Sequence, residues 1–300
     1  MIYLIYSILF VFGTAAGSFL NVVILRYAPE KNVFNFERLS GRSHCMHCKK
    51  TLTAGELIPL LSFLLQGGRC RGCNHKLSLQ YPIVEFISGL IFVFVPLFFN
   101  YFYGISNSVF ANFTAPRWHY GLILTWLITF LIWLIITFID FRHYLIPNEL
   151  NLILAVLGIL ITLVIFSHFQ SLPAFHDSFL KHYAPLFSFS DNFLLSRTFG
   201  ALLGGLFFGL LVFLSFGRGM GMGDVKLAFA AGLIFGWPDI GLNIILSFVF
   251  GGLFGISLVA LKKKGMRDKV PFAPFFVIAS AVTLFFGYQL LETYFHLFNL

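Results

Sequence analysis

The chain has 300 residues, of which 58% are hydrophobic and only 11% are charged, and its mean hydropathy is +0.88. A water-soluble protein cannot bury so large an apolar surface, so this composition excludes a soluble globular protein and predicts that lipid surrounds most of the chain. The formal net charge is +8. Because the basic residues alternate with apolar stretches, a nucleic-acid-binding face is a poor explanation of that charge, and we expect no nucleic-acid partner.

Eight apolar stretches follow one another along the chain, and they predict an all-α polytopic membrane protein with about eight transmembrane helices. The stretches are residues 2–25, 82–102, 119–139, 149–167, 198–216, 224–238, 240–261 and 271–295. The stretch 224–238 is only about 22 Å long as a helix. This length predicts a helix that begins inside the rim of the protein rather than at the lipid headgroups.

The basic residues are distributed unevenly between the two sides of the membrane that these stretches define. One side holds 17 Lys and Arg residues, and the other side holds three. The 17 lie in the segments 26–81, 140–148, 217–226 and 262–270. The positive-inside rule therefore predicts that these segments are cytoplasmic and that both termini lie outside.

The first stretch is predicted to remain as a transmembrane helix. No basic residue precedes it and Arg26 follows it, which is unlike a cleaved signal peptide. A group of small residues in this stretch predicts a face on which another helix packs closely. The group consists of Gly13, Ala15, Ala16, Gly17 and Ser18.

All four cysteines of the chain lie in the segment 26–81, which is the largest segment outside the apolar stretches. Cys45 and Cys48 form one C-x-x-C pair, and Cys70 and Cys73 form a second pair after 21 intervening residues. Two such pairs are typical of a tetrahedral four-thiolate zinc site. We therefore predict a small, zinc-ribbon-like cytoplasmic loop in which the metal is structural, because a closed site leaves no position for a substrate.

Two other interpretations of the cysteine segment remain open. The cysteines could form two disulfides, although the cytoplasm disfavours them. A histidine could replace one thiolate ligand, and the candidates are His44, His47 and His75. Whether four thiolates bind the zinc ion or a histidine replaces one of them, the metal would supply folding energy to a segment that is too small to form a sufficient apolar core.

Asp140 and Asp224 stand out among the twelve acidic residues of the chain. Most others lie in predicted loops and are interpreted as solvated surface charges, among them Glu56, Asp177 and Asp239. Asp140 ends one apolar stretch on the cytoplasmic side, and Asp224 begins another on the same side. Two carboxylates that meet at one depth can share a proton, so that one activates water while the other polarises a carbonyl group. The pair therefore predicts aspartic hydrolysis.

Each of these two residues also has a simpler interpretation. Asp224 could cap the N-terminus of its helix, and Asp140 could be a juxtamembrane charge beside Arg142. Together they could instead belong to a transporter or proton pathway, since membrane carboxylates also carry ions. A membrane-anchored zinc module is a further alternative, but it gives no reason for the position of either aspartate.

Glycines alternate along the chain before Asp224, and the last two are Gly221 and Gly223. Because glycine has no side chain, Gly223 allows the backbone of a substrate to approach closely. A phosphate-binding loop is the alternative, but the run lacks the preceding strand and the Lys-Ser ending of that motif. We therefore predict that Gly221 and Gly223 bind the substrate.

Six motifs occur in the order in which they occur in type IV prepilin peptidases, which this chain resembles over most of its length. They are GSFLNVVILR (17–26), the two cysteine pairs around ELIPLLSF, LSLQYPIVE (77–85), DFRHYLIPNEL (140–150), GMGDVKLAFAAGLIFGW (221–237) and VPFAPFF (270–276). The resemblance implies a membrane-embedded aspartic protease of the GxGD kind, with Asp140 and Asp224 as its catalytic pair. Presenilin-like proteases share the GxGD motif but not the cysteine segment.

The resemblance also implies the substrate and the organisation of the chain. Prepilins and pseudopilins carry a short basic leader that ends in Gly, and they are cleaved after that Gly at the cytoplasmic face of the bacterial inner membrane. The predicted domains are a first helix (1–25), a cytoplasmic zinc-binding domain (26–81) and a transmembrane peptidase core (82–300). Lys226, which follows the GxGD motif, is a candidate to hold a substrate carbonyl group, or it is a snorkelling anchor at the membrane surface.

Many members of the family also methylate the new N-terminal residue with S-adenosylmethionine, which the resemblance therefore implies as a cofactor. Glu85 is the carboxylate predicted for that step, although it could equally be a helix N-terminal charge behind Pro82. The chain departs from the family at Asn148, where Asp is common, and at Glu56, where Asp is also common. The first departure puts a third acidic group near the site in doubt, although Glu149 follows directly.

Overall fold

The computed structural model describes residues 2–30, 32–103, 117–168, 177–190, 192–217, 219–263, 265 and 268–298. Within these residues the chain forms eleven α-helices and two short 3-10 turns. The helices are α1 (Ile2–Arg26), α2 (Phe36–Leu39), α3 (Leu61–Leu65), α4 (Gln80–Phe102), α5 (Arg117–His143), α6 (Asn148–His168), α7 (Ala184–Phe187), α8 (Phe193–Leu214), α9 (Met222–Phe235), α10 (Asp239–Ala260) and α11 (Ala273–Leu297).

Seven of these helices are long and apolar enough to cross a membrane, and they are α1, α4, α5, α6, α8, α10 and α11. The protein is therefore a multi-pass membrane protein of the predicted all-α class. The predicted short stretch corresponds to α9, whose 14 residues extend for about 21 Å. Since the hydrocarbon core of a bilayer is about 30 Å thick, α9 does not reach across it.

The chain divides into two compact units, Met1–Ile135 and Ile136–Leu300. In the first unit, α1 packs closely on α4. A Cβ atom added at Gly13 would come within 2.7 Å of the Ser88 carbonyl oxygen, and one added at Gly17 would come within 2.8 Å of the Glu85 Cα. This contact confirms the predicted packing face of small residues, because a larger side chain would separate the two helices.

The cysteine segment of the first unit is held to the end of α1 by Arg26. The Arg26 guanidinium donates hydrogen bonds to the carbonyl oxygens of Arg38 and Ser40, at 2.7 and 2.8 Å. Each cysteine pair is closed by an isolated antiparallel bridge, His44 with Thr51 and Arg69 with Lys76. Within the described residues this segment contains no β-strand longer than such a bridge.

Glu56 of this segment was predicted to be a solvated surface charge, and that prediction is wrong. Its side chain is buried, and the carboxylate accepts hydrogen bonds from the Thr53 amide and hydroxyl at 2.9 Å each. Lys50 lies 3.3 Å from the other carboxylate oxygen. The two contacts with Thr53 lower the pKa of Glu56. They arise because the first turn of the helical segment Ala54–Glu56 has amides without an internal partner.

In the second unit, α9 packs closely against α6 and α8. A Cβ atom added at Gly232 would lie only 2.3 Å from the Gly200 carbonyl oxygen, and one at Gly204 only 2.5 Å from the Ala228 carbonyl oxygen. On the other side, a Cβ atom at Gly158 of α6 would lie 2.8 Å from the Leu233 Cβ. Glycine therefore sets the distances at which α9 approaches both neighbours.

The far end of α9 is covered by a buried ionic cluster that consists of Asp177, Arg197 and Asp239. The Arg197 guanidinium donates to the carbonyl oxygens of Leu233 and Ile234, near the end of α9, and to Asp177. Asp239 accepts a hydrogen bond from a neighbouring serine hydroxyl, Ser178, at 3.0 Å. A cation at the C-terminus of a helix satisfies carbonyl groups that have no partner within the helix.

Asp177 and Asp239 were predicted to be solvated surface charges, and this prediction is also wrong. Their exposed fractions are 8% and 1%, and that of Arg197 is 3%. The physical reason is that α9 ends inside the protein, where a basic residue is needed for its carbonyl groups, Asp177 balances the charge of that residue, and the Ser178 hydroxyl is a hydrogen-bond donor to Asp239.

Candidate active site

Asp140 lies in the last turn of α5, where it is buried with an exposed fraction of 5%. Its Oδ2 accepts a hydrogen bond of 3.0 Å from the amide of Ala273, the first residue of α11. The Phe272 amide lies nearby and also contributes favourably to the electrostatic environment of the ionised carboxylate. The first amides of a helix have no partner within it and carry a partial positive charge. The VPFAPFF motif therefore provides the N-terminus that orients Asp140.

Asp224 is the third residue of α9 and is half-buried. Its Oδ2 accepts a hydrogen bond of 3.1 Å from the Gly221 amide. The capping interpretation of Asp224 is therefore partly right, since the carboxylate satisfies one amide at the start of its helix. This contact fixes one oxygen of the Asp224 carboxylate and keeps the carboxylate beside the first turn of α9.

The start of α9 is held against the connection between α5 and α6, which follows Asp140 in the chain. The Asn151 side-chain amide donates to the Gly223 carbonyl oxygen at 3.2 Å. A Cβ atom added at Gly223 would lie 3.0 Å from the Ile146 Cβ. The absence of a side chain at Gly223 therefore lets α9 approach this connection, and this approach brings Asp224 toward Asp140.

The charge of Asp224 contributes to the electrostatic environment of the Asp140 carboxyl group. Two carboxylates that interact in a partly buried site favour a state with one shared proton. A backbone amide holds one oxygen of each group. This arrangement is chemically suited to activate a water molecule.

Lys226 does not point at an acidic group. Its Nζ donates a hydrogen bond of 2.7 Å to Oδ1 of Asn148, the residue at which the chain departs from the family. Lys226 is exposed and lines a groove of about 550 Å³ between α6, α8 and α9, beside Leu152 and Phe229. A lysine whose aliphatic stem lies beside apolar residues and whose amino group binds a polar partner is typical of the predicted snorkelling anchor. A role of Lys226 or Gly221 in substrate binding stays a prediction.

The four cysteines converge on one point. All four Sγ atoms lie within 4.8 Å of one another, with 3.9 Å between Cys45 and Cys73 and 4.0 Å between Cys48 and Cys70. A tetrahedral zinc site with Zn–S bonds of about 2.3 Å requires sulfurs about 3.8 Å apart. The four thiols are free rather than joined in disulfides. The donor set therefore fits a zinc ion.

Backbone amides also favour metal binding at this cluster. The Gly72 amide donates to the Cys70 sulfur at 3.4 Å, and the Cys73 and Gly72 amides lower the pKa of the Cys70 thiol to about 6. Burial and the neighbouring thiols instead raise the pKa of the Cys73 thiol to about 11, so without metal the proton stays on Cys73 rather than on Cys70. A thiolate is the form that ligates zinc. Among the described residues the metal-binding group consists of the cysteines alone, because His47 and His75 instead stack on each other with ring centroids 4.4 Å apart.

Glu85 is buried in the second turn of α4, with an exposed fraction of 7%. Its Oε2 accepts a hydrogen bond of 2.8 Å from the Leu60 amide, and the Ser18 side chain contributes to the electrostatic environment of the same carboxylate. Both contacts join parts of the first unit. A role of Glu85 in methyl transfer stays a prediction, and its observed contacts are structural.

Comparison of the sequence with known proteins assigns the chain to a family. Residues 11–99 match the model of the bacterial peptidase A24 N-terminal domain, and residues 127–256 match that of the type IV leader peptidase family. A prepilin leader peptidase/N-methyltransferase of Aeromonas hydrophila is 32% identical over 97% of this chain and 94% of its own length. The chain belongs to the type IV leader peptidase family. The predicted resemblance and the predicted enzyme class are thereby confirmed.

Other relatives of this leader peptidase carry the same name. The Bacillus subtilis protein is 28% identical over 96% of this chain and 97% of its own length. The Pseudomonas aeruginosa protein is 29% identical over 94% of this chain and 90% of its own length. No solved structure matches the chain.

Sequence reasoning missed two parts of this leader peptidase. The amides of Phe272 and Ala273 were within a recognised motif, but nothing in that motif indicated that they face Asp140. The buried cluster around Arg197 had only one signal in the sequence, an aspartate directly after Pro238 in an apolar region. Both contacts connect residues that are far apart in the chain, so local patterns do not reveal them.

Proposed function

We propose that this protein cleaves the basic leader of type IV prepilins and pseudopilins after a Gly, with Asp140 and Asp224 as an aspartic dyad. The excess of basic residues in the segments around both aspartates supports an active site at the cytoplasmic face of the bacterial inner membrane. The observation that carries the proposal is that a backbone amide at the start of a helix fixes one carboxylate oxygen of each aspartate.

The dyad hydrolyses the peptide bond through general acid–base catalysis. The ionised carboxylate takes a proton from water, and the resulting hydroxide attacks the carbonyl carbon of the Gly. The protonated carboxyl group gives its proton to the carbonyl oxygen, which forms a neutral tetrahedral diol. The diol collapses when the carboxyl group that holds the water proton transfers it to the leaving nitrogen, while the other carboxylate takes a proton from one hydroxyl of the diol. The C–N bond then breaks, and the dyad again shares one proton.

The amides of Ala273 and Gly221 contribute to this chemistry by orientation. They hold Oδ2 of Asp140 and Oδ2 of Asp224, so that the second oxygen of each group can face the water. Fixed donors of this kind do not need to reorganise during the reaction. The dyad geometry is therefore set by the helix starts of α9 and α11.

Methyl transfer to the new N-terminal residue is the second activity that we propose, on the strength of the names of the relatives. S-adenosylmethionine would supply the methyl group. Glu85 remains the candidate residue for this step. We also propose that Cys45, Cys48, Cys70 and Cys73 hold a structural zinc ion, which the sulfur distances support.

The peptidase proposal is tested by incubating the purified protein with a prepilin in lipid nanodiscs and following the loss of the leader on a gel. Asp140→Asn and Asp224→Asn are each expected to abolish cleavage. The matched control is Asp268→Asn, because Asp268 also accepts a glycine amide, that of Gly265 at 2.7 Å, but lies exposed in a loop.

We expect the Asp268→Asn protein to cleave at the wild-type rate. Full activity in either dyad variant would refute the dyad assignment. Labelled S-adenosylmethionine in the same reactions measures methyl transfer separately. The two dyad variants should still methylate a synthetic peptide that begins with the mature N-terminus.

A further inference from the structure

Five apolar side chains are exposed to solvent between the two cysteine pairs, in a segment that no predicted transmembrane helix includes. We call them the leucine face, which consists of Leu57, Ile58, Leu61, Leu64 and Leu65. Their exposed fractions range from 40% to 73%. In α3 the last three lie at positions i, i+3 and i+4, so they project from one side of that helix. A contiguous exposed apolar surface of this kind marks an interaction site.

The leucine face is fixed at the depth of a membrane-spanning helix. The Leu60 amide, directly before α3, donates its hydrogen bond of 2.8 Å to the Glu85 carboxylate. Glu85 is the sixth residue of α4, about 7.5 Å along the helix from its first residue. Leu60 has φ 60° and ψ −52°, which leucine rarely adopts, so this contact holds an otherwise disfavoured backbone conformation.

The apolar surface continues from this point onto α4. Leu79, Ile83 and Phe86 are all exposed at the start of α4, where lipid would surround the helix. Because the Leu60–Glu85 contact brings α3 to the level of these residues, the leucine face and the start of α4 lie at one depth. This continuity favours lipid, rather than a protein partner, as the occupant.

The charge around the leucine face also fits a lipid surface. Basic side chains flank it on both cysteine pairs, and they are exposed at Lys49, Lys50, Arg69, Arg71 and Lys76. The segment 26–81 contains nine Lys and Arg residues against three Glu residues. One of these acids, Glu56, is already paired with Lys50. Exposed cations beside apolar side chains are attracted to anionic lipid headgroups.

We propose that the leucine face inserts into the boundary between headgroups and acyl chains of a leaflet that contains anionic lipid. The cysteine segment then rests on the membrane surface, tethered through Glu85. This inference does not depend on the proposed peptidase or methyltransferase activity, because it uses only contacts of the first unit.

The test places a new tryptophan on the leucine face of the full-length protein. Leu64→Trp is reconstituted in nanodiscs of phosphatidylglycerol and phosphatidylcholine, with and without brominated acyl chains that quench fluorescence. The matched control is Met46→Trp, which replaces an exposed apolar residue within the first cysteine pair. The signal of the four native tryptophans is subtracted by measuring the wild-type protein in the same discs.

We expect brominated lipid to remove most of the fluorescence added by Leu64→Trp and little of that added by Met46→Trp. Adding Glu85→Met, which removes the oxygen that accepts the Leu60 amide, to Leu64→Trp should reduce the quenching, with zinc content measured to show that the cysteine segment remains folded. If brominated lipid does not quench the fluorescence of Leu64→Trp, the proposal is overturned. This holds also if a protein partner, rather than lipid, shields the residue from water. Equal quenching at both positions would also overturn it, as would unchanged quenching in the Glu85→Met variant.

Discussion

Replacing Gly232 with alanine tests whether glycine contacts set the position of α9. The added Cβ atom would lie 2.3 Å from the Gly200 carbonyl oxygen and 2.5 Å from the Ala201 Cα. Ordinary contact begins near 3.4 Å, so the atom is about 1 Å too close to main-chain atoms that no side-chain rotation can move. Separating α8 and α9 by about 1 Å forfeits a quarter to a half of the dispersion attraction at the contact. We expect a destabilisation at the upper end of the 1–3 kcal/mol typical of overpacking.

The separation of α8 and α9 should also reduce cleavage, because α9 carries Asp224 in its first turn. A misplacement of about 1 Å at a reacting group can cost about 10²-fold in rate. Thermal unfolding in detergent measures the stability, and cleavage of a prepilin measures the rate. The control is Gly209→Ala, on the α8 side of the same helix pair, where the nearest atom to the added Cβ is Val225 Cγ1 at 3.9 Å.

Gly209→Ala should be neutral or slightly stabilising, since alanine favours helix more than glycine does. If Gly232→Ala were as stable and as active as Gly209→Ala, the argument that backbone contact between α8 and α9 positions Asp224 would be refuted.

Two further predictions concern the metal and the buried charges. Cys45→Ser should lower the zinc content from about one ion per chain and expose the basic residues around the cysteine pairs to trypsin, since metal binding supplies folding energy. Metal analysis measures the zinc content, and limited proteolysis measures the exposure to trypsin. A wild-type protein without metal would contradict the zinc site. Arg197→Met should destabilise the protein by about 3–5 kcal/mol in thermal unfolding, because Asp177 and Asp239 would stay buried without a cation. A loss below about 1 kcal/mol would contradict this account of the cluster.

The features that could be predicted from the sequence are those fixed by residues close together in the chain. The C-x-x-C spacing determines where each pair of thiolates points, so Cys45 and Cys48 were assigned as ligands without knowledge of the fold. The apolar stretches determine the membrane helices for the same reason. The capping contact of Glu56 could also have been predicted, since Thr53 and Glu56 have the spacing of a capping box, which the structure contains.

The features that could not be predicted depend on contacts between distant segments. Asp239 follows a proline at the end of an apolar stretch, which locally resembles a surface turn. Its burial depends on Ser178, 61 residues earlier in the chain, and on Arg197. The hydrogen bond from Ala273 to Asp140 spans 133 residues. Neither contact leaves a periodic pattern, because each is made by a single side chain at the end of a helix.

The short length of α9 links these distant contacts to the candidate site. A helix of 14 residues that begins at the membrane rim must end within the membrane-spanning part of the protein. At that depth no bulk water is available for its last carbonyl groups, so protein donors must satisfy them. Arg197 donates to two of these groups, and Ser196 binds the main chain of Trp237, the second residue after the helix.

The two ends of α9 therefore have separate tasks. The first turn brings Asp224 toward Asp140, and the last turn is fixed by α8 and by the buried ionic cluster. A longer helix would place its last carbonyl groups at the opposite membrane surface, where water satisfies them, and would not need the contacts that Arg197 makes at the end of α9. Because both ends are fixed by contacts from other segments, the depth of Asp224 is set by the protein rather than by the bilayer thickness.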